Sequence, residues 1–252
     1  MNETTAHALA AINRSLYEDR AAEWNAVRER PWRGFARVQQ HLAALAPGHL
    51  RVLDLGCGNG RFARALAEGL PPDGASLEYV GVDASAPLLD LARSRAPRGC
   101  RFARADFVAE PPDATLPQGP FDLVALLGVL HAIPSRARRR ALLVAASARV
   151  GPRGLLALTR WRFAECAARR TRIVPWERYN ASARTPIDLR DLEPGDHLLS
   201  FGSRGALRYC HAVDSAELDA LLSDLPLVRE GEWFDDGREG SENHYVVLRR
   251  DR

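Results

Sequence analysis

The stretch Arg51-Val52-Leu53-Asp54-Leu55-Gly56-Cys57-Gly58-Asn59-Gly60-Arg61-Phe62 decides the fold of this chain. A short apolar run ends in an acid and breaks into three glycines at alternate positions. A helical pattern then resumes and continues through Ala67. The stretch therefore predicts a buried parallel strand, a tight loop and a helix.

The three glycines of this loop predict a ligand close to the main chain. Glycine permits a positive φ, and without a Cβ atom it lets a ligand approach the backbone. The spacing G-x-G-x-G differs from the dinucleotide fingerprint G-x-G-x-x-G, and an acid precedes the first glycine. That acid can accept hydrogen bonds, which a phosphate site would not require. The alternative is a glycine-rich turn in some other α/β protein.

The string from Leu53 to Gly60 resembles the first motif of class I S-adenosylmethionine (SAM) dependent methyltransferases. The resemblance implies SAM as the cofactor and a loop whose backbone serves the amino-acid end of SAM. The cofactor-binding residues implied in this stretch are Asp54, Gly56, Cys57, Gly58, Asn59 and Gly60.

Two further acids end the next two predicted strands. Asp83 closes the strand 77–83, where its two oxygens can accept hydrogen bonds from the ribose hydroxyls, with Ala84 beside it. Asp106, followed by Phe107, lies in the strand 101–107 and suits the exocyclic amine of adenine. The alternative for Asp106 is a cap on the following loop. Leu127, at the end of the strand 121–127, completes the predicted cofactor site.

The remaining pattern predicts an α/β protein with a Rossmann-like, seven-stranded mixed sheet. Further strands are expected at 155–159, 227–233 and 243–249, and helical patterns separate the earlier ones. Gly237 and Gly240 join the last two strands closely, so the final strand should be antiparallel. Helices should cover both faces. We predict a helical cap at residues 1–48 and a methyltransferase domain at 49–252 with a substrate-side insertion at about 160–210.

Composition excludes several other classes. The chain has 252 residues and a formal net charge of +3, and all 35 of its Lys and Arg residues are arginines. The absence of lysine excludes a Schiff-base enzyme and a Walker P-loop. The four cysteines show no metal-ligand spacing, so no metal site is expected. With no run of about 18 apolar residues, we expect a cytoplasmic protein without a membrane anchor.

Arginines dominate two other segments. In the insertion they alternate with aromatic residues such as Trp161 and Trp176, a mixture that can follow RNA phosphates or cap a small substrate. In the segment 136–149 they are expected to form a solvated helix face; these are Arg136, Arg138, Arg139 and Arg140.

Several segments resemble the tRNA wobble-uridine carboxymethyl methyltransferases. They are Arg28 with Pro31-Trp32, the glycine loop, Val129-Leu130-His131, Arg208-Tyr209-Cys210-His211 and Asn243-His244-Tyr245-Val246-Val247-Leu248. The resemblance implies tRNA modification and substrate-facing roles for Arg28, His131, Arg208 and His211. Some members of that family act with a small zinc-binding activator subunit, which is therefore a possible partner.

The chemistry of methyl transfer limits what the protein must supply. The sulfonium makes the methyl group electrophilic, so the main task is to hold a nucleophile in line. A carboxylate needs no base, and Arg28, Arg160 or Arg208 could orient it. A phenol or amine would need His131 or His211 as a base. Three functions remain open: a tRNA methyltransferase, a small-molecule O- or N-methyltransferase, and a catalytically silent binding partner.

Overall fold

The computed structural model describes residues 1–45, 48–70, 76–202 and 205–251. The helices are α1 Glu3–Asp19, α2 Ala21–Ala26, α3 Phe35–Ala43, α4 Arg61–Gly69, α5 Ala86–Ser94, α6 Pro112–Thr115, α7 Arg136–Arg149, α8 Ala167–Arg170, α9 Trp176–Asn180 and α10 Ser215–Leu222. The strands are β1 His49–Leu55, β2 Ser76–Asp83, β3 Cys100–Arg104, β4 Phe121–Leu126, β5 Val150–Trp161, β6 Ile173–Val174, β7 Asp196–Phe201, β8 Ala206–His211, β9 Val228–Asp235 and β10 Asn243–Arg249. Within these ranges no helix has the length and apolarity needed to cross a lipid bilayer.

The main sheet has seven strands in the order β3-β2-β1-β4-β5-β10-β9. Strands β1 to β5 are parallel, and β10 runs antiparallel to both of its neighbours, β5 and β9. This arrangement confirms the predicted fold class, including the antiparallel last strand.

Alternate residues of the central strands enter two separate cores. In β1, Val52 packs on the face covered by α3 and α4, whereas Leu53 packs on the opposite face with α7 and α10. Successive side chains of a strand point to opposite faces, so a strand covered on both sides reads as a continuous apolar run. Helices on both faces were predicted, and the structure confirms them.

The insertion contains a second, three-stranded sheet in the order β6-β7-β8, which the sequence analysis did not predict. The adjacent residues Leu198 and Leu199 are both buried, as are Tyr209 and Cys210. One face packs on Leu9 of α1 and the other on Phe163. Because both faces are covered, the short strands lack the alternation that identifies a strand in sequence.

Helices α1 and α2 lie against this small sheet. The side-chain oxygen of Asn13 accepts a hydrogen bond of 2.9 Å from the Tyr209 amide, and its nitrogen lies 3.4 Å from the Ala132 carbonyl. Trp24 packs on Phe201 with ring centroids 5.1 Å apart. Helices α1 and α2 and the small sheet therefore form one layer beside the carboxyl ends of the parallel strands, whereas α3 packs on a face of the main sheet.

Candidate active site

A cavity of about 720 Å³ lies at the carboxyl ends of the central strands, beneath the cap and the insertion. A volume of this size is in the range of ligand pockets, about 300–1,000 Å³. Ten predicted cofactor residues line it: Asp54, Gly56, Cys57, Gly58, Asn59, Asp83, Ala84, Asp106, Phe107 and Leu127. Gly60 is not among the lining residues; it precedes α4, where an added Cβ would lie 3.1 Å from the Cβ of Ala92.

The glycine loop turns sharply and is bonded to the neighbouring strand. The amides of Gly56 and Cys57 donate to the carbonyl of Val82 at 2.7 and 3.1 Å. Gly56 has a φ of +73°, and a Cβ there would lie 2.6 Å from a methyl carbon of Val129. A side chain at Gly56 is therefore excluded by backbone conformation and by space.

Asp83 connects the glycine loop to the start of α5. One carboxylate oxygen accepts a hydrogen bond from the Gly58 amide and the other from the Ser85 amide, both at 2.9 Å. Burial raises the pKa of Asp83, while these backbone hydrogen bonds act to lower it. The bonds fix the carboxylate, and each oxygen keeps lone-pair capacity for the hydroxyl of a ligand.

Asp106 is more fully occupied than the sequence suggested. It accepts hydrogen bonds from the amides of Val108 and Ala109 at 3.0 and 3.1 Å, so it does cap the following loop. Arg14 of α1 donates to its second oxygen at 2.7 Å. Burial would raise the pKa of Asp106, but these amides and Arg14 lower it. Its predicted bond to adenine stays a prediction.

Asp54 lies at the base of the cavity. The Tyr79 hydroxyl donates a hydrogen bond to it. Burial raises the pKa of Asp54 to about 7, although the bond from Tyr79 opposes this shift. The carboxyl group is thus a buried acceptor held from the adjacent strand.

Two arginines and two tryptophans form one side of the cavity, which we call the cationic wall: Arg28, Arg208, Trp24 and Trp161. The guanidinium carbon of Arg28 lies 3.3 Å from the Trp24 ring centroid. That of Arg208 lies 5.3 Å from the Trp24 centroid and 4.4 Å from the Trp161 centroid. Both tryptophans therefore stack with guanidinium groups.

Among the residues that the structure describes, no acidic side chain pairs with the arginines of the cationic wall. Arg208 is 5% exposed, and its Nε and Nη1 atoms have no hydrogen-bond partner in the part of the chain that the structure describes. No ion pair of Arg28 occurs there either. Burial and the nearby Arg208 lower the pKa of Arg28 well below its usual value. An anion bound in the cavity would neutralise the buried charges of both guanidinium groups.

His131 lies on a short turn after β4 and also lines the cavity. Its ring centroid is 5.2 Å from that of Trp161, and its buried Nδ1 has no partner among the described residues. Burial, and then Arg208 and Arg28, lower the pKa of His131 to about 3. A proton gained by this ring would lie beside two cations, so the neutral imidazole is strongly favoured.

His211 is not in the cavity lining but belongs to a group that we call the ion cluster: Arg139, Glu193, Asp196, His211 and Glu217. Its Nδ1 lies 2.7 Å from Asp196 and its Nε2 lies 2.8 Å from Glu217. Both ring nitrogens are occupied, so the predicted substrate-facing position for His211 is corrected by the structure.

Arg139 is the centre of the ion cluster. It is 0% exposed, and its Nη2 lies 2.6 Å from Glu193 and 2.7 Å from Glu217. The predicted solvated position is therefore wrong for Arg139. Glu193, Asp196 and His211 each offer a ligand atom within 4.8 Å of the others, but the Arg139 guanidinium already lies 2.6 Å from Glu193 and 3.0 Å from the Nε2 of His211.

Arg160, the third arginine considered for binding a carboxylate, is also saturated. It bonds to His244 at 3.1 Å, to the Val213 carbonyl at 3.3 Å and to Ser215 at 3.1 Å, and it pairs with Glu165. It does not line the cavity.

One helix face and one arginine were missed by the sequence analysis. Ala10, Asn13, Arg14, Tyr17 and Glu18 of α1 line the cavity. Their helical spacing places them on one face, and this spacing was the available signal. Arg61, the first residue of α4, also lines the cavity and stacks on Trp32 at 4.0 Å from the ring centroid. Nothing in the motif distinguishes its side chain from a solvated arginine.

Comparison with known proteins agrees with this geometry. Residues 53–156 match the family described as a methyltransferase domain. Residues 53–156 therefore form a methyltransferase domain. In Mus musculus, a probable tRNA methyltransferase 9B is 28% identical over 170 residues, which are 65% of this chain and 33% of the relative. In Xenopus tropicalis, the tRNA (carboxymethyluridine(34)-5-O)-methyltransferase alkbh8 is 30% identical over 128 residues, 51% of this chain and 17% of the relative.

The fold of the methyltransferase domain is shared with solved structures. Magnesium protoporphyrin IX methyltransferase from Synechocystis PCC 6803, with bound SAH, superposes with a TM-score of 0.65 at 16% identity, covering 96% of this chain and 99% of that chain. The chain spans a third or less of the length of the two tRNA methyltransferase relatives, whereas it matches this structure over almost its whole length.

Proposed function

We propose that this protein transfers the methyl group of SAM to a carboxylate oxygen of an acceptor held by the cationic wall. The observation that carries the proposal is the buried guanidinium of Arg208, whose Nε and Nη1 lack partners among the described residues. A carboxylate can accept two parallel hydrogen bonds from such a fork. It would also neutralise a charge that is otherwise costly to bury.

The cofactor position follows from the acids and the glycine loop. Adenine would lie near Asp106 and Phe107, the ribose hydroxyls on Asp83, and the methionine end on the loop at Gly56. The fixed carboxylate of Asp83 supports the ribose assignment, because it lines the cavity and retains lone pairs. This arrangement would place the sulfonium between the loop and the cationic wall.

Methyl transfer to a carboxylate requires no proton transfer. The carboxylate oxygen forms a bond to the methyl carbon while the bond from that carbon to sulfur breaks, giving a methyl ester and S-adenosylhomocysteine. The main contribution of the protein is then to hold the carboxylate oxygen in line with the bond between the methyl carbon and sulfur. The low pKa of His131 supports this choice, because a phenol or amine acceptor would need a nearby group that can hold a proton.

We propose a carboxymethyl group on a tRNA base as the acceptor. The similarity to the Mus musculus and Xenopus tropicalis tRNA methyltransferases supports tRNA, and the second of these relatives, a carboxymethyluridine methyltransferase, supports the carboxymethyl group. An acceptor base would have to leave its stack to reach the cavity. Arg172, which is exposed and lines the cavity, is suitably placed for a phosphate.

A small-molecule carboxylate is the second candidate. The contact between Trp24 and Phe201 joins the cap to the insertion beside the cavity, which favours a compact acceptor. A catalytically silent binding partner is the third, and it predicts no binding of SAM. A small zinc-binding activator subunit and a cytoplasmic location stay predictions.

The test uses SAM with a labelled methyl group and two acceptors: tRNA containing carboxymethyluridine, and a panel of small carboxylic acids. Label incorporated as a methyl ester is released by mild base, whereas N-methyl and ether methyl groups are stable. Arg208→Met should reduce ester formation by about 100-fold, because the acceptor loses a charge-assisted pair of hydrogen bonds. Arg37→Met is the matched control, since Arg37 also lies over a tryptophan, at 5.5 Å from Trp233, but outside the cavity lining.

The outcomes separate the candidates. Base-labile label on tRNA alone supports the tRNA proposal, and base-labile label on a small acid alone supports the second candidate. Base-stable label would contradict the carboxylate proposal. Calorimetric titration of SAM into the wild type and Asp83→Ala tests the cofactor: absence of binding supports the silent partner, and equal affinities would remove the ribose assignment.

A further inference from the structure

The cavity continues beyond the glycine loop to a third arginine, Arg61, which lies outside the cationic wall. Arg61 begins α4 directly after the loop, and its guanidinium carbon lies 4.0 Å from the ring centroid of Trp32. Trp32 in turn lies over the turn after β4, where a Cβ added to Gly128 would be 2.7 Å from the indole. The indole thus holds Arg61 beside two glycine turns that line the cavity.

The acids nearest to Arg61 are already committed to other groups. Asp54 accepts the hydroxyl hydrogen bond of Tyr79. Asp236 accepts hydrogen bonds from Gly34, Asn243 and Tyr245. Across residues 1–45, 48–70, 76–202 and 205–251, no ion pair or side-chain hydrogen bond of Arg61 is present. The guanidinium is therefore a free donor on the cavity surface.

Arg61 keeps its charge in this position. Burial lowers the pKa of Arg61 to about 10, while Tyr245, Asp236 and Asp54 act to raise it. At neutral pH the side chain is still a cation. A partly buried cation without a counter-charge gains most from a ligand anion at the same place.

The order of the strands indicates which anionic group of a ligand would lie beside Arg61. The order β3-β2-β1-β4 places Asp106, Asp83, Gly56 and Gly128 in succession along one edge of the sheet. If adenine and ribose occupy the Asp106 and Asp83 end, the methionine part of SAM extends toward Gly56 and Gly128. This step rests on SAM being the cofactor, as in the proposed function.

We infer that Arg61, stacked on Trp32, binds the α-carboxylate of the methionine part of SAM. The cavity then holds two separate carboxylate sites, one for the cofactor at Arg61 and one for the acceptor at Arg208. Trp32 is the positioning residue, because its ring fixes the plane of the guanidinium.

The experiment is a calorimetric titration of the full chain with SAM and with decarboxylated SAM, which lacks only the α-carboxylate. The wild type should bind SAM more tightly than decarboxylated SAM by about 10- to 100-fold, since a charge-assisted hydrogen bond is lost. Arg61→Gln should weaken SAM by a similar factor and leave decarboxylated SAM within about 2-fold, so the discrimination disappears. Arg61→Lys should retain part of the discrimination.

Arg37→Gln is the control, because Arg37 lies over an indole but does not line the cavity. Equal weakening of both ligands by Arg61→Gln would overturn the inference, as would discrimination that survives in this variant. If Arg61→Gln fails to fold, the Arg61→Lys variant is the test. A partial loss of affinity for SAM alone supports the inference. Equal weakening of SAM and decarboxylated SAM, or full wild-type discrimination between them, overturns it. Absence of SAM binding by the wild type would instead overturn the cofactor assignment, and with it the inference.

Discussion

The ion cluster and the cationic wall bury arginines in opposite ways. Arg139 in the ion cluster has Glu193 and Glu217 within 2.7 Å, whereas Arg208 in the cationic wall has tryptophan rings and two unpaired nitrogens. Both side chains are almost wholly removed from solvent. A paired buried charge serves the fold, and an unpaired one marks a place where a ligand is to supply the missing charge.

The two histidines show the same difference. In the ion cluster, burial acts to lower the pKa of His211, but its hydrogen bonds to Asp196 and Glu217 outweigh burial and raise it. Beside the cationic wall, burial and two arginines lower the pKa of His131. Surroundings, and not residue type, therefore decide which histidine carries a proton.

The largest expected effect is on stability. Arg139→Met removes the cation of the ion cluster and leaves two glutamates close together, so the free energy of unfolding should fall by about 3–5 kcal/mol. Urea denaturation of wild type and variant measures this difference. Arg136→Met, on the exposed part of the same helix, should change it by less than about 0.5 kcal/mol.

The same substitution in the cationic wall should behave differently. Arg208→Met removes an unpaired buried charge, so the free energy of unfolding should change by less than about 1 kcal/mol or rise. Urea denaturation of this variant alongside Arg139→Met makes the comparison direct. If Arg208→Met were as destabilising as Arg139→Met, the distinction between the two regions would fail.

The pH dependence of the free energy of unfolding tests whether His211 in the ion cluster is protonated. Because the fold raises the pKa of His211, protonated His211 stabilises the protein below the ordinary value of about 6.5. That contribution should be lost as pH rises through the raised pKa. His211→Gln should therefore cost about 1.5–3 kcal/mol at pH 6 and less at pH 9, measured by urea denaturation at both values. A cost that is equal at both pH values, or greater at pH 9, would contradict a charged His211.

The smallest expected effect concerns His131. With its pKa at about 3, the ring does not titrate between pH 5.5 and 8, so methyl transfer should show no inflection from it in that interval. His131→Asn should reduce kcat/KM by only about 2- to 10-fold, the cost of one hydrogen bond from the imidazole to a bound ligand. A wild-type inflection near pH 6.5 that vanishes in His131→Asn would identify a base and argue against a carboxylate acceptor.

The position of the glycine loop and the acids at the cavity was predictable because these residues have local signals. The glycine loop and the acids Asp83 and Asp106 each follow a strand, and parallel strands bring their carboxyl ends to one edge. The helical patterns between the strands then predicted the α/β class, although not the order of the strands. These residues are placed by the backbone, which a motif describes well.

The surroundings of the arginine side chains were less predictable, because contacts between residues distant in sequence decide them. Arg136 and Arg139 are separated by one helical turn, yet one is exposed and the other is buried on acids that lie far along the chain. Arg14 reaches Asp106 across a separation that no local pattern contains. Whether an arginine is paired depends on the tertiary partners of its guanidinium, and sequence spacing does not report these partners.

The position of β10 has a consequence for synthesis of the chain. This strand pairs with β5 on one side and β9 on the other, although both precede it in the sequence. On the ribosome, β5 and β9 therefore emerge with one or both edges unpaired before residues 243–249 are made. A translational pause just before Asn243 would prolong that exposure, and the yield of correctly folded protein should depend on how quickly this last strand is delivered.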